Sequence, residues 1–184
     1  YSPYVINSGS LLRWKFSEEV MVLNVTLKVP MKKKEGPDIK LKNKPIKKIE
    51  TDLLTRLIVA EAGNQPIEGQ QAVANVVMNR KKSQLPYLSG GKKKSITNII
   101  SAKNQFEAYG NNKINEVDRS SESYKIAYDI ANKAINNKLE DLTDGATHFI
   151  NTNIVLERSG KLPSWYYNLK PKLKIGDHEF LRED

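Results

Sequence analysis

The most constraining feature of the sequence is the stretch 53–63, which reads Leu-Leu-Thr-Arg-Leu-Ile-Val-Ala-Glu-Ala-Gly. Its large apolar residues recur with the spacing of one helix face: Leu53, Leu54, Leu57 and Ile58. At about 100° per residue, Glu61 falls within this apolar stripe. Burial raises the pKa of a carboxyl group, and a raised pKa suits a general acid working near neutral pH. Glu61 is therefore a candidate catalytic acid. The alternative is a structural Glu that pairs with an Arg or with backbone amides.

The residues after this helix predict a turn and a second helix. Gly63 and Asn64 tolerate the left-handed conformation that often ends a helix, and Pro66 suits the first turn of the next one. The second helix is predicted to run to about Arg80. One of its faces is apolar: Ala72, Val73, Val76 and Val77.

Farther along the chain, the sequence predicts more helix and a small β element. Ser95 and either Ser120 or Ser121 are predicted to cap helices. Residues 146–150 suggest a strand, and residues 172–181 suggest a hairpin that turns at Gly176-Asp177. Residues 162–167, Leu-Pro-Ser-Trp-Tyr-Tyr, are interpreted as an aromatic loop. These features predict an α+β fold that is mostly helical.

The first 49 residues differ in character from the rest. Residues 1–30 are rich in β-forming residues, and we interpret them as a segment that docks on a partner protein or a virion, or that completes a domain whose front was removed. Residues 31–49 are rich in Lys and Pro and predict an extended linker. The main domain is then expected to span residues 50–184. Because the first residue is Tyr1, we expect a processed chain or a fragment.

The charge of the chain suits a polyanionic partner. The formal net charge is +9, and residues 28–48 contain nine Lys against Glu35 and Asp38. Anionic wall polymers, nucleic acid or a membrane surface are candidate partners; the alternative is a solvated face with a flexible basic linker. The sequence has no Cys, which excludes disulfides and thiolate chemistry. It also has no apolar run long enough to span a membrane.

Four sequence blocks, in order, resemble one known family. Residues 60–80 read AEAGNQPIEGQQAVANVVMNR, and they are followed by Asn104-Gln105-Phe106, by ATHFIN at 146–151 and by IGDHEF at 175–180. Together they resemble the SleB/CwlJ-type cell-wall hydrolases, a family of spore cortex-lytic enzymes and phage lysins, over roughly residues 52–181. The chain departs from the family pattern at three positions. Gly63 replaces Arg, Asn64 replaces Gly and Gln65 replaces Glu.

This resemblance implies a lysozyme-like catalytic domain that degrades peptidoglycan. The expected activity is cleavage of the MurNAc-GlcNAc β-1,4 bond by a lytic transglycosylase with Glu61 as the single acid and base. A muramidase is the alternative, and it would need a second carboxylate, Glu68 or Glu107. No metal or other cofactor is predicted. The expected location is extracellular, in the cell wall or on a phage tail.

Further residues in the matched blocks and in the aromatic segment are candidates for substrate binding: Asn79, Gln105, Phe106, His148, Asn151, Trp165 and Tyr166. Each also has a structural interpretation. The two histidines, His148 and His178, are more often core or hydrogen-bonded residues than metal ligands. The aromatic residues stack on sugar rings or close the core. A non-catalytic virion or wall-binding protein is the competing hypothesis for the whole chain, and nucleic-acid binding rests on charge alone.

Overall fold

The computed structural model describes residues 12–16, 19–23 and 39–183, with side chains for 46–170 and 173–183. The chain divides into two units, residues 1–38 and 39–184. In the first unit, strands β1 (Leu12–Phe16) and β2 (Glu19–Leu23) form an antiparallel pair in which Leu12 lies opposite Leu23. The β-rich character expected there is confirmed for these two strands. The rest of the segment predicted to dock and residues 31–38 of the predicted linker lie outside the described residues.

The second unit consists of helices and a small sheet. The helices are α1 (Ile39–Ala62), α2 (Ile67–Lys82), α3 (Ile96–Ile100), α4 (Glu107–Gly110), α5 (Glu122–Ile135), α6 (Thr152–Ser159) and α7 (Ser164–Asn168). The strands are β3 (His148–Ile150), β4 (Lys170–Ile175) and β5 (His178–Arg182). Short 3-10 turns lie at Pro86–Ser89 and Lys113–Asn115. The expected mostly helical α+β fold is confirmed.

The first helix starts earlier than the sequence suggests. Residues 39–49 belong to α1, so the prediction of an extended linker is wrong for that part of residues 31–49. Lys and Leu are good helix formers. A helix anchored by buried residues from Thr51 onward can therefore extend through them, although Ile46 and Ile49 remain exposed.

The main core lies where α1, α2 and α5 pack together. Leu54, Leu57 and Ile58 of the predicted α1 stripe are fully buried, together with Val73 and Val77 of α2. Helix α2 is the central element, because every residue from Ala72 to Arg80 is buried. Ser95 and Ser121 cap α3 and α5 as predicted, since each side chain accepts a hydrogen bond from a backbone N–H three residues on.

The sheet packs on α2 through its central strand. Its order is β3-β5-β4 with both pairs antiparallel, and Phe149 lies opposite Phe180. Phe180 is buried against Ala72 and Val76 of α2. The predicted strand at 146–150 and the predicted hairpin are both present. Residues 164–168, expected to be loop, form α7.

The junction between α1 and α2 differs from the prediction. Neither Gly63 nor Asn64 has a positive φ. Instead, the Gly63 N–H donates to the Val59 carbonyl oxygen at 2.9 Å, and a Cβ on Gly63 would lie 2.5 Å from that oxygen. Gly63 is therefore required for its small size rather than for a left-handed backbone.

Gln65 joins this junction to the β4–β5 hairpin. Its Nε2 donates to Asp177 Oδ2 at 2.9 Å, and its Oε1 accepts from the Asp177 backbone N–H at 2.9 Å. Gly176 has a φ of 60°, and a Cβ there would lie 2.5 Å from Gln65 Oε1. The hairpin turn thus needs glycine both for its backbone conformation and for the approach of Gln65.

We expect Gly176→Ala to lower the free energy of unfolding by about 2–3 kcal/mol, because the substitution adds a clash to the cost of a positive φ. Gly160→Ala is the matched control. Gly160 has a φ of 70° and nothing within 4 Å of a Cβ. That variant should lose only about 1 kcal/mol. Urea unfolding measures both values, and equal losses would show that the Gln65 contact contributes nothing.

Candidate active site

A cleft of about 250 Å³ lies in the second unit and holds several of the predicted site residues. It is bounded by the C-terminal end of α1, by residues 105–108, by α6, by the end of β3 and by the start of β5. Of the candidate residues, Glu61, Gln105, Phe106 and Asn151 line this cleft. The sequence blocks that carry them are far apart in the chain, so the fold brings them together.

Glu61 is partly buried in this cleft, on the last turn of α1. Its Oε1 accepts a hydrogen bond from the Ala108 backbone N–H at 2.9 Å. Burial raises the pKa of Glu61 above its ordinary value, and the nearby charge of Glu107 adds to the rise. The Ala108 hydrogen bond and the charges of Lys113 and Arg80 act against it. A carboxyl group whose pKa is raised by burial is better suited to act as a general acid than an exposed one.

Arg80 places a buried positive charge in the same cleft. Its Nε donates to the Thr147 carbonyl oxygen at 2.6 Å, and its Nη1 donates to the Gln105 carbonyl oxygen at 3.4 Å. The guanidinium carbon lies 4.4 Å from the centre of the Phe106 ring. Burial lowers the pKa of Arg80 to about 10, so the group stays charged at pH 7. Arg80 therefore fixes the segment before Ala108 and favours the ionised form of Glu61.

A second carboxylate lines the cleft, and it belongs to Glu107 rather than Glu68. Glu107 Oε1 lies 3.2 Å from Arg158 Nη1, so the pair links α4 to α6. Both side chains are exposed, so this ion pair is screened by solvent and contributes little to stability. In this structure the pair joins the Glu107 carboxylate to Arg158 on the facing wall of the cleft.

Aromatic rings form a connected group beside these charges. The ring centres of Phe106 and Phe149 lie 6.3 Å apart. Phe149 and His178 pack edge to face, with their ring centres 5.4 Å apart. All three residues line the cleft. Sequence reasoning missed Phe149 and Arg80 as lining residues, and it gave His178 no role beyond bracing the cleft. The position of all three residues in the matched blocks was the available signal.

Two predicted site residues on α2 lie away from the cleft lining. Glu68 is an exposed residue in the first turn of α2. Asn79 is buried, and its Nδ2 donates to Asp141 Oδ2 at 3.0 Å and to the Ala146 carbonyl oxygen at 3.1 Å. The structure thus gives Asn79 a role in holding the chain before β3.

The remaining candidates lie outside the cleft lining, His148 on β3 and Trp165 and Tyr166 on α7. His148 Nδ1 lies 3.0 Å from Thr147 Oγ1, and its ring centre lies 5.3 Å from that of Trp165. Tyr166 is buried, and its hydroxyl donates to Glu179 Oε2 at 2.7 Å. Substrate binding by these residues stays a prediction.

Neither a metal site nor a membrane span is found within the part of the chain that the structure describes. There, His, Asp and Glu side chains form no group of three or more able to hold a metal ion. Among residues 39–183 and the two described N-terminal strands, no helix is both long and apolar enough to span a membrane.

Comparison with known families decides the class of the protein. A family described as cell wall hydrolase matches residues 64–181, which is more than half of the chain. The chain belongs to this cell wall hydrolase family. It is therefore grouped with enzymes that degrade cell walls. The match begins three residues after Glu61, so the assignment of Glu61 rests on the geometry of the cleft.

Solved structures show the same fold. The catalytic domain of the Bacillus cereus SleB protein is 24% identical, with a TM-score of 0.55, and the match covers 73% of this chain and 91% of that one. The catalytic domain of SleB from Bacillus anthracis, described as a germination-specific lytic transglycosylase, is 23% identical with a TM-score of 0.54. That match covers 72% of this chain and 93% of that one. No curated protein sequence matches the chain significantly.

The raised pKa of Glu61 predicts how stability changes with pH. At pH values between 4.5, the ordinary pKa of Glu61, and its raised pKa in the folded chain, the folded chain binds more protons than the unfolded chain. Stability therefore falls as the pH rises through this window. Glu61→Gln keeps an oxygen for the Ala108 N–H but cannot ionise. The variant should match the wild type at about pH 4 and be more stable at about pH 8.

Denaturant unfolding at a series of pH values measures this difference, and Glu68→Gln is the control. Because Glu68 is exposed on the first turn of α2, its variant should show no stability gain that grows with pH. If Glu61→Gln were instead less stable at about pH 8 than the wild type, Arg80, Lys113 and the Ala108 N–H would outweigh burial.

Proposed function

We propose that this protein is a peptidoglycan-degrading glycosidase that cleaves the MurNAc-GlcNAc β-1,4 bond as a lytic transglycosylase, with Glu61 as its single acid and base. The observation that carries the proposal is the state of the two described carboxylates that line the cleft. Glu61 is partly buried with a raised pKa, whereas Glu107 is exposed and paired with Arg158. One carboxyl group is therefore poised for proton transfer, and the other is engaged.

A single carboxyl group suffices when the substrate supplies the nucleophile. Protonated Glu61 gives its proton to the glycosidic oxygen as the bond to the muramic-acid anomeric carbon breaks. The C6 hydroxyl of the same muramic acid attacks that carbon, and the Glu61 carboxylate accepts the hydroxyl proton. The products are a 1,6-anhydro-muramic end and a free GlcNAc hydroxyl, with no water consumed. Arg80 and Lys113 favour the carboxylate form that the second proton transfer needs.

A muramidase mechanism is the alternative, and the position of Glu107 bears on it. A hydrolytic route needs a second carboxylate as nucleophile or as a base for water. Glu107 lines the cleft and Glu68 does not, so Glu107 would have to serve in that route. It would first have to separate from Arg158.

The charged and N-terminal regions support a proposal about where the enzyme works. A wall-degrading enzyme acts outside the cytoplasmic membrane, in the wall or carried on a phage tail. Exposed lysines such as Lys92 and Lys93 suit anionic wall polymers. The hairpin formed by β1 and β2 suits docking on a partner protein, and the Lys-rich residues that follow supply more positive charge.

Mass spectrometry of soluble products from purified peptidoglycan tests the mechanism. The wild type and Glu68→Gln should release anhydro-muropeptides, and Glu61→Gln should lower their release about 10²–10⁴-fold because it removes the general acid. Glu107→Gln should still release anhydro products. Circular dichroism checks that each variant is folded.

The other outcomes separate the alternatives. Reducing muropeptides from the wild type, with both Glu61→Gln and Glu107→Gln inactive, would establish a two-carboxylate muramidase. If no folded form released a soluble product, the chain would be a wall-binding or structural protein.

A further inference from the structure

His178 carries a hydrogen-bonding group that the proposed mechanism does not use. It is the first residue of β5, it lines the cleft and only 8% of it is exposed. Its Nδ1 is buried and has no hydrogen-bond partner among the described residues. Unlike Nδ1, Nε2 is not a buried atom without a partner, so it is the ring nitrogen that keeps contact with solvent.

The burial of Nδ1 decides which nitrogen carries the proton. A buried N–H without an acceptor is rarer in proteins than a buried acceptor without a donor. The proton of the neutral ring therefore belongs on Nε2, and Nδ1 carries the lone pair. Burial also lowers the pKa of His178, so the ring is neutral at pH 7. His178 then presents one N–H donor to the cleft.

The two aromatic rings that pack against the His178 ring are apolar. The Phe149 ring meets the His178 ring edge to face at 5.4 Å, and the Phe180 ring centre lies 6.3 Å away. Ile150 and Val155 also line the cleft. A group that suits these surroundings accepts one hydrogen bond and carries an apolar end.

We infer that His178 is a specificity-determining residue whose Nε2–H donates to the carbonyl oxygen of a sugar N-acetyl group, with the acetyl methyl packed against the apolar wall. This inference rests on the proposed function, since it assigns a substrate feature to the same cleft. It implies that the enzyme prefers N-acetylated glycan to glycan whose amino groups are free.

The kinetic test compares de-N-acetylated peptidoglycan with the same material after chemical re-acetylation. The wild type should prefer the re-acetylated form. His178→Phe keeps an aromatic ring but loses the donor, so it should reduce this preference about 3- to 10-fold, a factor that corresponds to one neutral hydrogen bond. The change should appear mainly in KM. A preference that stays unchanged in an active His178→Phe variant would overturn the inference.

Two amide variants separate the ring nitrogens. The Gln side-chain nitrogen reaches about as far as Nε2, and the Asn nitrogen reaches about as far as Nδ1. His178→Gln should therefore retain most of the preference, whereas His178→Asn should lose it. Rescue by Asn and not by Gln would place the donor on Nδ1 and contradict the inference.

Nitrogen-15 NMR of the histidine rings tests the same point in the wild type, without a variant that has to fold. The His178 shifts should show the Nε2–H tautomer, and N-acetylated chitotriose should move the Nε2 signal while chitotriose with free amines should not. An Nδ1–H tautomer, or equal responses to both sugars, would overturn the inference. A wild type that releases no product from re-acetylated wall would instead refute the proposed function, and the NMR result would still decide the role of His178.

Discussion

The site depends on buried polar side chains of the central helix α2. Asn75 binds the backbone on both sides of Asp141, donating to the Glu140 carbonyl oxygen and accepting from the Leu142 N–H. Asn79 and Arg80 continue this row to the carbonyl oxygens of Ala146 and Thr147. Each buried partner left unpaired would cost about 1–3 kcal/mol. Because apolar contacts do not fix direction, these hydrogen bonds determine where the chain enters β3 and therefore where Phe149 lies.

Arg80 connects this scaffold to the chemistry. The same guanidinium that holds the Thr147 and Gln105 carbonyl oxygens also bears on the pKa of Glu61. Local geometry and electrostatics therefore cannot be varied separately at this position. Because neutral carbonyl oxygens, rather than a carboxylate, hold Arg80, its positive charge is not neutralised and continues to act on Glu61.

Periodic and capping signals predicted much of the fold, and contacts between distant residues escaped them. The apolar stripe of α1, the α2 face, the caps at Ser95 and Ser121 and the hairpin at Gly176 follow from local patterns. The helical state of residues 39–49 could not be predicted from local patterns, because Pro and scattered Lys do not indicate a helix there. That part of the helix depends on the buried residues from Thr51 onward. In the site, Glu61 stood out as a carboxylate within an apolar stripe. Arg80, Phe149 and His178 reach the cleft only through long-range packing, which spacing along one sequence does not encode.

Helix α6 forms one wall of the cleft without contributing a buried residue. Its link to the opposite wall is the exposed Glu107–Arg158 pair. Through the half-buried Val155, the helix packs on the buried cluster of Ile150, Tyr166, Leu169 and Leu181. Because α2 is buried along most of its length, the opening free energy of α6 lies below that of α2. Ionic strength should therefore act on the width of the cleft more than on the stability of the fold. In a wall rich in fixed charges, the local salt concentration should therefore affect how readily a glycan strand enters the cleft.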